Sequence, residues 1–477
     1  MPSPKMKDDD GQLVVVANRL PLRRVVERHE EHWEPSPGGL VSALAPVMGD
    51  RRCTWVGWTG DAGTDVDPFE REGICFVPVR IDEAEVESYY EGFSNGTLWP
   101  LYHDAIRPPE FRQEWWEAYS AINQRFAERT ADCAPKGGQV WVHDYQLHLV
   151  PRLLRQLRPD LRIGFFLHIS FPPQELFMQL PWRTQIVEGM LGADVVGFQV
   201  PVAARNFAVL AKRLTSARGR TRLDYEGRQI TVGSYPVSID VERYAQIAGR
   251  QETKIRAKQI REQLGNPRTI FLGVDRLDYT KGIEARLKVY KEMLVDGTIV
   301  TPESVMVQIA VPTRDKVPAY IEQRESIERL VGEINGTFAQ MGAPAVHYLN
   351  QNLALDELVA LYCAADILLV TPYRDGMNLV VKEYVAARSD TGAVVLSEFA
   401  GAAQSMRSAY LVNPHHTQQV KQAMLTAFVA SPAEQRRRMR ALRNSVLRWT
   451  DADWANAFLA TLDGVVASDA AETPLRR

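Results

Sequence analysis

The stretch at residues 367–385, ILLVTPYRDGMNLVVKEYV, shows the local pattern that decides the fold. It begins with an apolar run long enough for a buried strand, continues through a short polar loop, and ends in a segment of helical period. Apolar strands that alternate with helices are typical of parallel sheets covered on both faces. A loop that only turned the chain would need the glycine and Asp375, but not an arginine and an asparagine as well. We therefore interpret this loop as a ligand site at the carboxyl end of a strand.

The same order of strand, loop and helix recurs along the chain in two series. The first series of strand-like runs lies at 13–21, 55–58, 140–145, 163–173 and 195–200, and the second at 269–279, 305–312, 346–350, 367–372 and 393–399. The segment SYPVSID at 234–240 separates the two series. We therefore predict an α/β protein with two doubly wound domains, residues 1–238 and 239–450. The remainder, 451–477, predicts a helix that packs back on the N-terminal domain, followed by a disordered tail.

Charge and hydropathy exclude two classes of partner. Lys and Arg number 56 against 59 Asp and Glu, which leaves a net charge of -3 in 477 residues. A chain with this balance is not drawn as a whole to nucleic acid or to an anionic membrane. No uncharged apolar stretch reaches the length of about 18 residues that a membrane-spanning helix requires. We expect neither a nucleic-acid partner nor a membrane.

The thiols and histidines give no sign of a metal site. The four cysteines, Cys53, Cys75, Cys133 and Cys363, are far apart and form no C-x-x-C pair. The sequence HDYQLH at 143–148 lacks the paired histidines at i and i+4, with a carboxylate, of a zinc-binding helix. We expect reduced thiols, a cytoplasmic protein, no metal and no cofactor.

Polar side chains follow many of the predicted strands, at the position where open parallel sheets bind ligands. They are Asn18, Arg19, Trp58, Asp144, His168, Arg276, Lys281, Arg314 and Asp375–Asn378. Cations concentrated there suggest phosphate groups, because guanidinium and ammonium groups match phosphate oxygens. Gly38 and Gly39 in SPGGL allow a close backbone approach to an anion, and Arg276 with Lys281 is similar to a pyrophosphate clamp. The loop at 375–379, DGMNL, offers helix-start amides to a polar ligand.

Several of these residues also have a purely structural interpretation. His168, inside an apolar strand, fits a core histidine whose hydrogen bonds are satisfied. Asp144, directly after a strand and before a helix, fits a helix N-cap. For Trp115 and Trp116 we favour ordinary packing.

Longer motifs extend the pattern over nearly the whole chain. They are NRLP with SPGGL, YYEGFSNGTLWPLYH, VWVHDYQL, GFFLHISFP, VDRLDYTKG and VTPYRDGMNLVVKEYVA. In this order they resemble glycosyltransferase family 20, the trehalose-6-phosphate synthases. The resemblance implies two facing Rossmann-like domains of GT-B type, with the active site in the cleft between them. It also implies transfer of glucose from UDP- or GDP-glucose to glucose 6-phosphate, which gives α,α-trehalose 6-phosphate, and a homo-oligomer, either dimer or tetramer.

The resemblance also assigns roles to the matching positions. Acceptor-binding residues would be Arg19, Tyr90, Trp99, Asp144 and Arg314, and donor-binding residues would be Gly39, His168, Arg276, Lys281, Asp375, Gly376, Met377, Asn378, Leu379 and Glu383. His168, Asp375, Arg276 and Lys281 would form the catalytic group. The family suggests that the acceptor attacks from the face of the leaving group, whose phosphate takes the acceptor proton. No residue would then be a covalent nucleophile, unlike the carboxylate pair of a retaining glycosidase.

Four alternatives stay open on the sequence alone. A pseudo-glycosyltransferase that couples cyclitols, or a non-catalytic sensor of sugar phosphates, would be expected to lack some of these contacts, and none is missing. An NAD-dependent oxidoreductase would need a G-x-G-x-x-G turn, which SPGGL is not. An enzyme similar to glycogen phosphorylase would need a lysine that holds pyridoxal phosphate, and we identify none.

Overall fold

The computed structural model describes residues 13–27, 30–35, 44, 53–314, 317–388 and 390–464. The chain divides into two compact units, Met1–Pro236 with Asp451–Arg477, and Val237–Thr450. We call them the N-terminal unit and the C-terminal unit. The predicted tail lies outside the described residues.

A ten-stranded sheet organises the N-terminal unit. The strands among the described residues are β1 (Leu13–Arg19), β2 (Leu22–Glu27), β3 (Glu30–Pro35), β4 (Cys53–Trp58), β5 (Phe69–Arg71), β6 (Ile74–Pro78), β7 (Gln139–His143), β8 (Arg162–Leu167), β9 (Val195–Phe198), β10 (Arg218–Gly219), β11 (Arg222–Tyr225) and β12 (Arg228–Ser234). The sheet order is β10-β11-β12-β9-β8-β7-β1-β4-β6-β5, and β2 pairs with β3 in a separate hairpin. The strands from β12 to β6 in this order are parallel to their neighbours, whereas β5, β10 and β11 pair antiparallel.

Helices cover the sheet of the N-terminal unit. They are Glu83–Glu85, the π-helix Val86–Leu98, Trp99–Tyr102, Gln113–Cys133, Val150–Leu157, Gln174–Phe177, Arg183–Met190, Pro201–Leu214 and Asp451–Leu462, with a 3₁₀ turn at Tyr145–Leu147. The last of these helices stacks Phe458 on Trp141 with ring centroids 4.6 Å apart, and Trp454 lies 5.0 Å from the same ring. These buried aromatic contacts hold the C-terminal helix on the sheet of this unit.

The C-terminal unit contains a six-stranded sheet in which all strands are parallel. Its strands are β13 (Thr269–Arg276), β14 (Ser304–Val311), β15 (Val346–Leu349), β16 (Ile367–Val370), β17 (Ala393–Ser397) and β18 (Tyr410–Val412), in the order β15-β14-β13-β16-β17-β18. Its helices are Val241–Gly249, Gln251–Gln263, Ile283–Val295, Pro318–Phe338, Leu355–Ala364, Val380–Ala387, Thr417–Phe428 and Pro432–Leu447, with 3₁₀ turns at Tyr279–Lys281 and Gly401–Gln404.

Both faces of this second sheet are buried. Ile270 and Leu272 of β13 belong to one hydrophobic core cluster, and Phe271 between them belongs to another. Successive strand residues point to opposite faces, so each face carries its own core. The prediction of doubly wound α/β domains is confirmed. No helix among the described residues is both long enough and apolar enough to cross a membrane.

Each sheet reverses its strand order at one central strand. In the N-terminal unit β1 lies between β7 and β4, and in the C-terminal unit β13 lies between β14 and β16. The loops that leave such a strand and its neighbour move to opposite faces, which opens a crevice at the carboxyl ends of the strands. The topology therefore places the residues after β1 and β7, and those after β13 and β16, where ligands bind in this class of fold.

Candidate active site

Arg19 ends β1, at the crevice of the N-terminal unit. Its guanidinium lies 4.5 Å from the ring centroid of Trp58 and 5.9 Å from that of Tyr90. Gly60, with φ at +100°, leaves the space that the guanidinium occupies, because a side chain there would collide with it. The two aromatic rings hold the exposed Arg19 by cation–π contact without neutralising its charge. This arrangement suits an anion, such as a phosphate.

Tyr90 and Trp99 come from the segment around an unusual π-helix, Val86–Leu98. Gly92 in this helix lies against the ring of Trp115, where a Cβ atom would overlap the indole. Trp99 is only 2% exposed and packs on His103 at 4.1 Å between ring centroids. The structure therefore brings Tyr90 to Arg19, but it places Trp99 in the core. The packing role that we favoured for Trp115 agrees with this contact.

Asp144 follows β7 with φ at 73°, in the left-handed region. Its side chain does not cap the 3₁₀ turn that it precedes. Instead, Oδ1 accepts a hydrogen bond of 3.1 Å from the backbone N–H of His168. The N-cap interpretation of its carboxylate is therefore wrong, since the carboxylate joins the ends of two neighbouring strands.

His168 stands directly after β8 and is partly exposed. Its Nε2 atom lies 3.1 Å from Nδ1 of His143. Burial lowers the pKa of His168 to about 3, so the ring is neutral in the physiological range. A neutral imidazole can exchange hydrogen bonds with sugar hydroxyls but carries no charge for a phosphate.

Lys281 and Asp375 meet at the crevice of the C-terminal unit. Lys281 Nζ lies 2.6 Å from Asp375 Oδ2, with only 10% and 13% of the two side chains exposed. Asn378 Nδ2 donates to the same oxygen over 3.2 Å. Arg276 ends β13, five residues before Lys281 in the sequence, and is exposed. A cation, a carboxylate and an amide thus share one edge of the sheet, which suits a ligand that carries both phosphate and hydroxyl groups.

Arg314 is held by a buried acid. Its Nη1 atom lies 3.3 Å from Asp278 Oδ2 and donates to the hydroxyl of Tyr320, and its side chain is only 3% exposed. Asp278 Oδ1 accepts from both the backbone N–H and the hydroxyl of Thr280 at 2.9 Å. Burial alone would raise the pKa of Asp278, but Arg314, Arg276 and Lys281 lower it to about 2. Asp278 therefore stays ionised and links the loop after β13 to the loop after β14.

The side chain of Asn378, in the DGMNL loop, reaches the first turn of the following helix. Asn378, with φ at 74°, accepts a hydrogen bond of 3.3 Å from the N–H of Val381 through its own side chain. The amide of Val381 is therefore already paired, and the availability of the amides of residues 375–379 to a ligand stays a prediction. Met377 is buried in a hydrophobic core cluster, so its side chain faces the core. Gly376 packs against Gly401 so closely that a Cβ atom at Gly401 would overlap the carbonyl of Gly376.

Glu383 lies on the helix that follows this loop, after Leu379. Its Oε2 atom accepts a hydrogen bond of 2.8 Å from the hydroxyl of Tyr362. Burial raises the pKa of Glu383, while hydrogen bonds from Tyr362 and Tyr244 oppose that rise. The two hydroxyls fix the direction of the carboxylate, which can still accept further hydrogen bonds from a ligand.

Two further expectations concern the glycine pair of SPGGL and a metal site. Gly39, with Gly38, lies outside the described residues. Among the residues that the structure describes, no group of three or more His, Cys, Asp or Glu side chains is arranged to hold a metal ion.

Sequence reasoning missed several residues that shape the site. We considered His143 only as a metal ligand, and we did not consider Asp278, Tyr320 or Tyr362. The position of His143 at the end of β7 was the available signal, because every strand end near the order reversal is a candidate. Tyr362 lies in the middle of a helix, Leu355–Ala364, and has no signal of this kind.

Comparison with known proteins identifies relatives over almost the full length. The sequence model of glycosyltransferase family 20 matches residues 11–464. The chain is 53% identical over 470 residues to the trehalose-6-phosphate synthase of Mycolicibacterium gilvum, covering 95% of this chain and 93% of the relative. It is also similar to a UDP-forming alpha,alpha-trehalose-phosphate synthase from Burkholderia xenovorans solved in complex with glucose-6-phosphate, with 30% identity, a TM-score of 0.87 and coverage of 95% and 100%. A structure from E. coli, described as bound with UDP-2-fluoro glucose, has 31% identity, a TM-score of 0.87 and coverage of 96% and 100%.

Proposed function

The chain belongs to glycosyltransferase family 20, and from that premise we propose that it transfers glucose from UDP-glucose to glucose 6-phosphate to form α,α-trehalose 6-phosphate. The observation that carries the proposal is the grouping of Lys281, Asp375 and Asn378 at the order reversal of the C-terminal sheet, beside Arg276 in the sequence. These groups match a sugar joined to a diphosphate. The solved relatives support the two substrates, since one is in complex with glucose-6-phosphate and another is bound with UDP-2-fluoro glucose.

We assign the acceptor mainly to the N-terminal domain, residues 1–238. Arg19, held by the rings of Trp58 and Tyr90, would bind the phosphate of glucose 6-phosphate. Asp144 would accept hydrogen bonds from acceptor hydroxyls, in addition to the one that its Oδ1 atom accepts from the His168 amide. Arg314 would assist with the phosphate. Trp99 would contribute by packing, because its ring is buried.

We assign the donor mainly to the C-terminal domain, residues 239–450. Arg276 and Lys281 would bind the diphosphate, and Asp375, Gly376 and Asn378 would bind the glucose. Glu383 would accept hydrogen bonds from the two ribose hydroxyls, as one carboxylate can serve both. Backbone groups of Gly39, Met377 and Leu379 would complete the donor contacts, and His168 would bond a hydroxyl of the glucose. The expected C-terminal helix at 451–477 would belong to the N-terminal domain.

The chemistry that we propose retains the configuration of the transferred glucose. As the bond from glucose to diphosphate breaks, Arg276 and Lys281 would stabilise the charge that develops on the leaving oxygen. The acceptor hydroxyl would attack from the same face, and the departing phosphate would take its proton. Asp375 supports this route over a covalent one, since its carboxylate is already engaged by Lys281 and Asn378 and suits positioning better than nucleophilic attack.

The test is product formation from glucose 6-phosphate with UDP-glucose and GDP-glucose in parallel, with a chelator present. NMR of the product identifies the linkage and its anomeric configuration. We expect an α,α-1,1-linked disaccharide phosphate, formed faster from UDP-glucose. Absence of transfer from either donor by folded protein would overturn the proposal and favour a pseudo-glycosyltransferase or a sensor. Light scattering of the same sample tests the predicted homo-oligomer.

A further inference from the structure

A second histidine lies behind His168 and has no role in the function proposed so far. His143 ends β7, is fully buried, and places its Nδ1 atom 3.1 Å from Nε2 of His168. Its other ring nitrogen, Nε2, is buried and has no hydrogen-bond partner among the residues that the structure describes. A buried polar atom without a partner costs free energy. The position of His143, with one ring nitrogen against His168 and the other without a partner, therefore needs an explanation.

Another buried histidine of the same unit, His148, serves as a comparison, because it is a structural residue with both ring nitrogens in contact with hydroxyl groups. His148 has the hydroxyl of Tyr119 3.2 Å from Nδ1 and the hydroxyl of Tyr102 3.4 Å from Nε2. Both ring nitrogens of His148 are therefore occupied, as expected for a core side chain. His143 differs, because within the described part of the chain the one polar contact of its ring is with His168.

His168 is fixed at three points. Its backbone N–H donates to Asp144 Oδ1 over 3.1 Å, its carbonyl accepts from Gln199 Nε2 over 3.2 Å, and its ring Nε2 meets His143. Its Nδ1 atom has no protein partner within the described part of the chain, and the residue is partly exposed. Nδ1 is therefore the atom that remains for a ligand.

The contact between two neutral rings allows two arrangements of hydrogen atoms. Burial lowers the pKa values of both His143 and His168 far enough that neither ring is charged near neutral pH. If His168 donated from Nε2, the hydrogen of His143 would sit on its buried Nε2 as an unpaired N–H group. If His143 donates from Nδ1, only a lone pair is left unpaired, and buried N–H groups without a partner are the rarer of the two in proteins.

We propose that His143 is a positioning residue that fixes His168 as the tautomer with its hydrogen on Nδ1, so that His168 donates a hydrogen bond to an oxygen of the donor sugar. The tautomer follows from the geometry of the two rings, whereas the sugar as ligand rests on the proposed function. The consequence is selectivity, because an N–H group favours a sugar oxygen at that point and opposes any group that can only donate.

The first measurement is the tautomer of His168 in the unmodified protein. Protein labelled with ¹⁵N-histidine gives distinct ¹⁵N resonances for protonated and unprotonated ring nitrogens, and a His168→Gln variant identifies the signals of residue 168. We expect Nδ1 of His168 to be protonated and Nε2 to be unprotonated. The opposite assignment overturns the proposal, whatever the activity of the enzyme.

The second measurement uses a pair of variants at residue 143. His143→Phe keeps a ring but removes the donor, and we expect kcat/KM for UDP-glucose to fall by about tenfold or more, the scale of one lost hydrogen bond. His143→Asn returns an amide near the position of Nδ1, and we expect it to recover most of that loss. KM for glucose 6-phosphate should change little in both variants. Loss of a merely structural side chain would not be repaired by the smaller asparagine.

A control variant and a cross-check separate this inference from the proposed function. His32→Asn removes a histidine whose side chain is 45% exposed and should leave the kinetics unchanged. Wild-type kcat/KM for the donor in His143→Phe, with the tautomer of His168 unchanged, would overturn the positioning role. If His168→Gln leaves donor use unchanged, the proposed sugar contact fails, and the tautomer from the first measurement still decides the role of His143.

Discussion

Lys281 Nζ lies 2.6 Å from Asp375 Oδ2, although 94 residues separate the two in sequence. The contact joins the loop after β13 to the loop after β16, the two strands at which the sheet order reverses. Both side chains are mostly buried, so neither charge is well hydrated. Such a pair gives a fixed position to the cation and the carboxylate before any ligand arrives.

The first prediction concerns this pair. Lys281→Met should lower kcat/KM for UDP-glucose by about 30-fold or more, equal to about 2 kcal/mol, because it removes a cation from the leaving diphosphate and from its position beside the Asp375 carboxylate. Steady-state kinetics measure the loss. Lys288→Met is the matched control, since Lys288 forms a 2.6 Å pair with Glu284 on the next helix but is 59% exposed. Equal activities for the two variants would remove Lys281 from the donor site.

The second prediction concerns Arg276 at the carboxyl end of β13. Arg276→Ala should raise the activation barrier by more than about 2 kcal/mol, the scale of one lost charge-assisted contact in the transition state. Arg268→Ala is the control, because Arg268 is exposed just before the opposite end of the same strand. Turnover of Arg276→Ala at the wild-type rate would argue against any contact with the diphosphate.

The third prediction separates acceptor from donor. Arg19→Ala should raise KM for glucose 6-phosphate by about tenfold or more, since a charge-assisted bond to phosphate is lost, and should leave the binding of UDP-glucose unchanged. Steady-state kinetics measure KM for glucose 6-phosphate, and titration calorimetry measures the binding of UDP-glucose. Arg23→Ala, which breaks an exposed 2.7 Å pair with Glu34, is the control. An unchanged dependence on glucose 6-phosphate would refute the assignment of Arg19.

The fourth prediction concerns acid stability. The pKa of Asp278 is about 2 in the folded protein against an ordinary value of 3.8, so folding is stabilised while this carboxyl is ionised. The stabilisation is fully present above pH 3.8 and is lost as the pH falls toward 2. Asp278→Asn should therefore be less stable than the wild type by about 2 kcal/mol at pH 6, with a gap that narrows in acid.

Urea unfolding at a series of pH values measures this gap. Asp356→Asn is the control, because Asp356 is 70% exposed in its pair with Arg250. A gap for Asp278→Asn that stays constant from pH 6 to pH 3 would show that the ionised carboxylate does not stabilise the fold.

Much of the fold could be predicted because its central strands are continuous apolar runs. β1 and β13 are buried along nearly their full lengths, and both were expected from sequence. The antiparallel edge of the first sheet was not expected, since β11 alternates exposed and buried residues over only four positions. Such a short alternation gives too weak a pattern to separate a strand from a loop.

The candidate site was predicted at the level of positions but not of contacts. His168 and Asp375 could be selected because they follow apolar runs. The hydrogen bond that Asp144 accepts from the amide of His168 could not be selected, because the same sequence position suits a helix cap equally well. The hydrogen bond that the Asn378 side chain accepts from the N–H of Val381 could not be selected either. Side-chain partners depend on the packing of neighbouring loops, which periodicity does not describe.

The fifth prediction concerns a buried lysine on the helix Val380–Ala387. Lys382 is 4% exposed, donates to the carbonyl of Val237 over 2.7 Å, and has its pKa lowered by burial to about 7 from 10.5. Between these two values the unfolded chain binds a proton that the folded chain does not, so folding is increasingly favoured as the pH rises from 7 toward 10.5. The free energy of unfolding of the wild type, relative to Lys382→Met, should therefore increase over this range.

Urea unfolding at pH 7, 8.5 and 9.5 measures the difference between the wild type and Lys382→Met. Lys258→Met is the control, because Lys258 is 80% exposed. A difference that is the same at all three pH values would mean that Lys382 keeps its proton in the folded protein, and that the carbonyl of Val237 is enough to stabilise a buried ammonium group.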